Sequence, residues 1–367
     1  MKVIILCLSH GYGGLELYVY REIKFLRASG VLCVPVVSEQ SMLAEKLEKE
    51  GVKYETLNSG SKHLPIFTSF KLVELIKQNQ IDVLHINWGK DLNLAAMAKY
   101  LSGNTVKLVY SRHMEITRSK KDLLHRWFYK QIDKFLVISR MVEENALTYL
   151  PLPRQKIELL YLGVSAPCNT ELDCELFFKQ FKINKSTMNI VLFGRIEKGK
   201  AQHVMISAMK ELIETKHDIS LAIIGHVMDE QYYADLVNSV ELSSLSEYVS
   251  FTGMIDDASD KMPCFDVVCL TSPKETFGLV LAEAMRGGVA VIGTNAGGVV
   301  DIIDNEINGL LFEVDDPISL YEAICKLYEN PDLRTRIAIE GKKKADSQFS
   351  EDTHFNKLIE HMTILCN

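Results

Sequence analysis

Residues 271–288, TSPKETFGLVLAEAMRGG, decide how the rest of the chain is read. Glu275 and Glu283 flank seven residues that begin Thr276-Phe277-Gly278-Leu279 and read as the first turns of a helix. The first N–H groups of a helix have no partner within it, and that end carries partial positive charge, so it suits phosphate. With a rise of about 1.5 Å per residue, a helix starting at Thr276 puts Glu283 about 10 Å along the axis. That matches the reach of a diphosphate, with one carboxylate free to meet a sugar and the other a ribose. A bare pair of glutamates at this spacing reads more simply as an amphipathic helix, Leu279, Val280, Ala282 and Met285 packing inward. The helix start lying between two carboxylates at that span suggests a nucleotide-sugar site.

At 367 residues the chain exceeds most single cores, so two domains are expected. Apolar residues make up 47% and charged residues 24%, as in ordinary globular enzymes. No run of about 18 apolar residues occurs, so no membrane-spanning helix is expected. The opening MKVIILCLSHGYGG has an apolar stretch of only Val3 to Leu8, followed by glycines, and reads as a buried first strand instead of a signal peptide. The eight cysteines form no C-x-x-C pair and no zinc spacing, and several sit in apolar runs such as VIILC and FDVVCL. A reduced, cytoplasmic chain is the expectation. Residues 1–165 carry 23 basic and 16 acidic side chains, and the remainder 18 and 32, so the front half is suited to an anionic partner.

Apolar runs of strand length alternate with helical patterns, the signature of stacked βαβ units. In the front half strands are expected at 3–8, 31–37, 81–87, 106–112, 134–139 and 157–161. Helical patterns lie between them at 15–28, 42–50, 67–77, 92–101 and 122–132. The back half repeats the scheme with strands at 189–194, 221–225, 249–252, 266–271, 290–294 and 309–312. The rhythm breaks over 162–185, which marks a domain boundary.

The Glu-x7-Glu stretch resembles that of the family-4 retaining glycosyltransferases, and the likeness runs over nearly the whole chain. It implies an α/β GT-B architecture, two Rossmann-like domains facing across a cleft. Residues 1–165 would form the acceptor-side domain, 166–348 the nucleotide-sugar domain, and 349–367 a helix crossing back to the first. The resemblance assigns Glu275 to the donor sugar hydroxyls and Glu283 to the ribose. Thr276 opens the donor loop, and backbone N–H groups of Phe277, Gly278 and Leu279 would hold the diphosphate.

Other motifs follow the same likeness. Gly194-Arg195 closes a strand and Lys200 follows, matching a G-R-x4-K element whose cations meet the diphosphate; Lys198 is a second candidate. The family places Gly after this lysine, where this chain has Ala201. Gly11, Gly13, Gly14 and Glu16 fit a G-G-x-E loop, with Gly14 near the diphosphate and Gly13 toward the acceptor; a plain tight turn fits the residues equally well. His113 closes the strand at 106–112, where the family has a histidine near the reacting centre. His85 reads as structural, and His10 is left open. Thr252-Gly253-Met254-Ile255 matches the turn whose backbone reads the base, with Ile255 the candidate, and Gly297-Gly298 resembles another cleft-lining turn.

No Asp-x-Asp and no metal-ligand spacing occur, so transfer without a metal or other cofactor is expected, the substrate being a UDP- or GDP-sugar. The implied chemistry is front-face displacement with retention of configuration, moving a hexose or N-acetylhexosamine to a glycan or lipid-linked acceptor in surface polysaccharide or glycolipid synthesis. Residues 118–134, RSKKDLLHRWFYKQIDK, read first as an exposed basic helix with its apolar side on the sheet. The sharper reading is peripheral contact with an anionic membrane at the cytoplasmic face. A nucleotide-sugar epimerase and a catalytically silent binding module are the alternatives on the same fold. A nicotinamide-dependent reductase lacks its glycine fingerprint here, and no nucleic-acid partner is expected.

Overall fold

The computed structural model describes residues 1–11, 13–58, 65–167, 172–215 and 217–367. Two compact units divide the chain, Met1–Tyr161 with Asp352–Asn367 and, separately, Leu162–Glu351. The sequence placed these divisions at 165/166 and 348/349.

In the first unit the strands are β1 (Lys2–Cys7), β2 (Leu32–Val37), β3 (Glu55–Thr56), β4 (Val83–Ile86), β5 (Lys107–Arg112), β6 (Lys134–Val137) and β7 (Ile157–Leu159). They form one parallel sheet in the order β3-β2-β1-β4-β5-β6-β7. Val3 to Cys7 are fully buried, as expected of a central parallel strand covered on both faces. The helix Glu351–Cys366 contributes His354, Phe355, Leu358 and Met362 to this unit's interior. His354 Nε2 lies 2.7 Å from the Tyr18 hydroxyl, and the Phe25 and Phe355 rings stand 5.1 Å apart.

The second unit holds β8 (Met188–Phe193), β9 (Ile219–Ile224), β10 (Val249–Gly253), β11 (Val267–Leu270), β12 (Ala290–Thr294) and β13 (Leu310–Phe312), again all parallel, in the order β10-β9-β8-β11-β12-β13. The helix Gln202–Glu214 shows how its layers close. Val204, Met205, Ala208, Met209 and Leu212 recur every three or four residues and bury one stripe in the core of β8, β9 and β11. Each unit therefore has the doubly wound strand order of a Rossmann-like domain. The order reverses between β1 and β4 in one unit and between β8 and β11 in the other. Ligands in open α/β sheets gather outside the carboxyl ends of the strands at such reversals.

The expectation of a fully reduced chain is corrected at one pair. Cys174 and Cys264, 90 positions apart in sequence, are joined by a disulfide with their Cα atoms 5.3 Å apart. Cys174 opens a helix, Cys174–Gln180, inside the stretch that sequence periodicity treated as a break, and Cys264 lies in the short turn before β11. Local spacing carries no trace of a pairing made by tertiary structure. Cys168 lies outside the described residues.

Candidate active site

The second unit brings the donor-site candidates to the carboxyl ends of β8 and β11. β8 is followed by Gly194, whose φ of +151° is one that side-chain-bearing residues rarely adopt. Gly225, next after β9, lies so near that a Cβ there would stand 1.8 Å from the Gly194 carbonyl oxygen. The chain then turns through Arg195 to Lys200. Gln202 Nε2 donates to the Arg195 carbonyl at 2.8 Å, and Thr271 Oγ1, beyond β11, donates to the Lys200 carbonyl at 2.7 Å. The cation loop is thereby tied to the strand end that leads into Glu275.

Lys200 Nζ lies 2.8 Å from Glu275 Oε2, both side chains being about one-quarter exposed or less. Arg195 is more exposed and pairs with Glu197 at 2.8 Å. Lys198 is exposed to solvent. Of the two candidate lysines, Lys200 is the one that meets the Glu275 carboxylate. Ala201 takes the left-handed φ of +49°, the conformation for which glycine is the usual choice.

The helix after Glu275 starts later than the sequence suggested. It spans Leu279–Arg286, preceded by Gly278 with φ +104°. Thr276 and Phe277 lie outside it, because a left-handed residue interrupts right-handed winding. The Phe277 side chain is 1% exposed and packs edge-on against Phe349, ring centroids 5.6 Å apart. Its side chain thus anchors the loop. Glu283 becomes the fifth helical residue, about 6 Å along the axis from Leu279 rather than about 10 Å from Thr276.

The Gly297-Gly298 turn has a sharper role than lining. Gly298 N–H donates to the Glu275 carbonyl at 2.8 Å. A Cβ on Gly297 would sit 2.4 Å from that same oxygen, and one on Gly298 would sit 2.3 Å from the Thr276 carbonyl oxygen. Only glycine allows this turn to seat directly on the backbone of Glu275 and Thr276. Beyond β10, Ile255 is 8% exposed and borders an open cavity of about 410 Å³, with Phe177, Phe181, Asp256 and Lys261 also on its walls.

In the first unit the glycine loop follows β1. Gly13 caps the helix Gly14–Ala28, its N–H donating to Glu16 Oε2 at 2.9 Å, while Ser9 Oγ donates to Glu16 Oε1. Gly14 has open space where a Cβ would project. His10 Nε2 lies 3.0 Å from Ser38 Oγ. His113 follows β5, half-buried, with Nε2 2.9 Å from Asn87 Oδ1 and its ring packed 4.4 Å from that of Tyr18. Burial, with the Arg112 guanidinium nearby opposing protonation, pushes the pKa of the His113 ring down to about 3. The ring is therefore neutral at ordinary pH. Arg112 holds the loop behind it, donating to the Met114 and Glu115 carbonyls at 2.8 Å each. His85 is fully buried between Glu22 and Ser111. Sequence reasoning missed Glu22 and Asn87; Glu22 was detectable only as an acidic residue on the apolar side of a helix.

Residues 118–134 form the helix Leu123–Lys130, capped by Asp122. Phe128 and Ile132 are buried, but Leu123 is 87% exposed and Leu124 43%, beside Lys121 and Arg126. The expectation that the whole apolar side packs on the sheet fails for these two leucines. Among the described residues no group of three His, Cys, Asp or Glu side chains is placed to hold a metal ion, and no helix is long and apolar enough to cross a membrane.

The chain matches two family models, "Glycosyltransferase Family 4" over residues 12–166 and "Glycosyl transferases group 1" over 173–344. It is 25% identical over 288 residues to the N-acetyl-alpha-D-glucosaminyl L-malate synthase of Bacillus anthracis, covering 77% of this chain and 74% of that protein. It is 28% identical over 235 residues to the capsular polysaccharide biosynthesis glycosyltransferase CapM of Staphylococcus aureus, covering 61% of this chain and 59% of that one. Its fold is similar to that of Anabaena HepE in complex with UDP, at a TM-score of 0.86 and 21% identity over 99% of this chain and all of that one. A glycosyltransferase from Rickettsia africae reaches a TM-score of 0.90 at 20% identity, covering 99% of this chain and 98% of that one. Two Rossmann-like domains of the GT-B type, joined to family models that between them span most of its length, place this chain among the family-4 glycosyltransferases.

Proposed function

We propose that this glycosyltransferase takes a hexose or N-acetylhexosamine from a nucleoside-diphosphate sugar and transfers it, with retention of configuration and without a divalent ion, to a glycan or lipid-linked acceptor. The observation that carries this reading is the Lys200–Glu275 pair beside the Gly278-capped helix. A diphosphate is a stronger partner for Lys200 than a single carboxylate, so donor binding draws the ammonium away and leaves Glu275 to accept from sugar hydroxyls. Arg195, whose contact to Glu197 is exposed, swings to the same anion. The N–H groups at the head of Leu279–Arg286 add a fixed positive end, and Glu283 meets the ribose. HepE, a relative in fold, has been solved with UDP and with UDP-glucose, which agrees with a nucleotide-sugar donor here.

In the reaction the bond from the anomeric carbon to the diphosphate oxygen breaks with oxocarbenium character. The acceptor hydroxyl oxygen bonds to that carbon from the same face, and its proton passes to the departing phosphate oxygen. Arg195 and Lys200 offset the charge that builds there. Surface polysaccharide or glycolipid assembly is the proposed setting. Exposed Leu123 and Leu124 among lysines and arginines favour peripheral contact with an anionic leaflet.

A melting-point screen with UDP, GDP and ADP identifies the base, since a ligand of the folded state raises the transition. NMR of the product's anomeric proton then reads the stereochemistry. Inversion, or activity lost in chelator and restored by manganese, sinks the corresponding part of the proposal. Flotation with anionic but not neutral liposomes is the outcome expected for the leucine-bearing helix.

A further inference from the structure

Behind His113 runs a line of buried polar groups within the first unit. Ser111 Oγ lies 2.8 Å from His85 Nε2, and His85 Nδ1 lies 2.5 Å from Glu22 Oε1. Asn87 Nδ2 donates to Glu22 Oε2 at 2.8 Å, and Asn87 Oδ1 faces His113 Nε2 at 2.9 Å. Glu22 and His85 are wholly buried, Asn87 and Ser111 nearly so. Unsatisfied polar atoms in such surroundings are costly, which fixes how the hydrogens are shared.

The direction of each bond follows from what each group can do. Only the NH₂ end of the Asn87 amide can donate, so that end faces the carboxylate and Oδ1 is left toward His113. An amide oxygen and a bare ring nitrogen both accept, so their 2.9 Å contact requires the hydrogen to sit on His113 Nε2. The lone pair of the neutral ring is then on Nδ1. Tyr18 packs against the ring at a tilt of 57°, and its own hydroxyl is held in turn. Tyr161 O accepts from His354 Nδ1 at 2.6 Å, so His354 Nε2 accepts from Tyr18.

We infer that Asn87, aimed by the buried Glu22 carboxylate, is a positioning residue that locks His113 as its Nε2–H tautomer, leaving Nδ1 the ring's one acceptor. His113 then offers a lone pair, and no proton, to whatever hydroxyl approaches Nδ1. The consequence for sugar transfer rests on the proposed place of His113 near the reacting centre; the tautomer itself does not.

The test is two-bond ¹H–¹⁵N NMR of the full chain labelled in histidine, with His113 assigned by the signal lost in His113→Gln. The wild-type ring is expected to show a single Nε2–H pattern that does not titrate around neutral pH. Asn87→Ala should give mixed tautomers and a kcat/KM lower by about 10–100-fold, by analogy with losing the hydrogen-bond partner that orients a metal-ligating histidine. A wild-type ring that is Nδ1–H or mixed overturns the inference, as does an Asn87→Ala protein with one unchanged tautomer. If Asn87→Ala fails to fold, the wild-type spectrum decides alone. Should no donor be turned over, the transferase reading fails while a single Nε2–H pattern still supports the lock.

Discussion

Lys200 Nζ and Glu275 Oε2 stand 2.8 Å apart, so the cation and the carboxylate expected to serve different parts of one donor are paired with each other. Glu275 therefore competes with a diphosphate for Lys200. Replacing it by glutamine removes the competitor, and Glu275→Gln should bind free UDP or GDP severalfold more tightly while transferring sugar far more slowly. Lys200→Ala should lose affinity for the nucleotide and reduce kcat by about 10²–10³-fold, as for other groups that stabilise developing charge. Calorimetric titration beside steady-state kinetics separates the two. Weaker nucleotide binding by Glu275→Gln would contradict the competition.

The Gly297-Gly298 turn presses on the backbone that carries Glu275. In Gly298→Ala the new methyl would start 2.3 Å from the Thr276 carbonyl, so the loop must move. A displacement near 1 Å at a reacting site costs about 10²-fold in rate, and that loss is expected here in kcat/KM. Overpacking should also lower stability by about 1–3 kcal/mol. Denaturant melts and donor-hydrolysis rates check both, and normal kinetics in a folded Gly298→Ala protein would count against the clamp.

Burial pushes His113 down to about 3 and His354 to about 4. In the unfolded chain such rings take up a proton near pH 6.5, so their contribution to stability is complete above that value and is lost as pH falls from there toward 4. Asp91 works the other way. Burial raises it to about 8, so its contribution grows as pH falls from about 8 toward 4. Two rings outweigh one carboxyl below pH 6.5, with each group setting a slope of about 1.4 kcal/mol per pH unit. Urea melts through this range should show stability declining on acidification, with a flatter decline in His354→Gln. Identical slopes for the two proteins would remove His354 from the explanation.

The Cys174–Cys264 bridge closes a long loop, and such bridges stabilise by about 2–4 kcal/mol. Thiol titration of the unfolded chain should give two fewer groups before reduction than after. Reductant should lower the melting point of the wild type and leave a Cys174→Ser/Cys264→Ser double variant unchanged. Equal thiol counts would show that the bridge does not form in solution.

Much of the fold was legible because its strands are buried on both faces, and runs such as Val3 to Leu8 or Asn189 to Gly194 admit few other readings. The two-residue β3 and the helix Cys174–Gln180 were not, being too short to set up a period. At the site, the motif around Glu275 located the loop but misplaced the helix start, since the left-handed state of Gly278 is a conformation, not a pattern. Ala201 is the converse case. Its departure from glycine cast doubt on the lysine before it, yet the residue adopts the backbone that glycine normally supplies. Glu22, Asn87 and His113 come from three separate segments, and nothing local joins them.

The closing helix has a consequence for how the polypeptide matures on the ribosome. The Tyr18–His354 bond joins the beginning of the first unit to a segment translated only after the whole of Leu162–Glu351. The second unit can finish folding while the first still waits for its last piece, inverting the usual order in which nascent domains are completed.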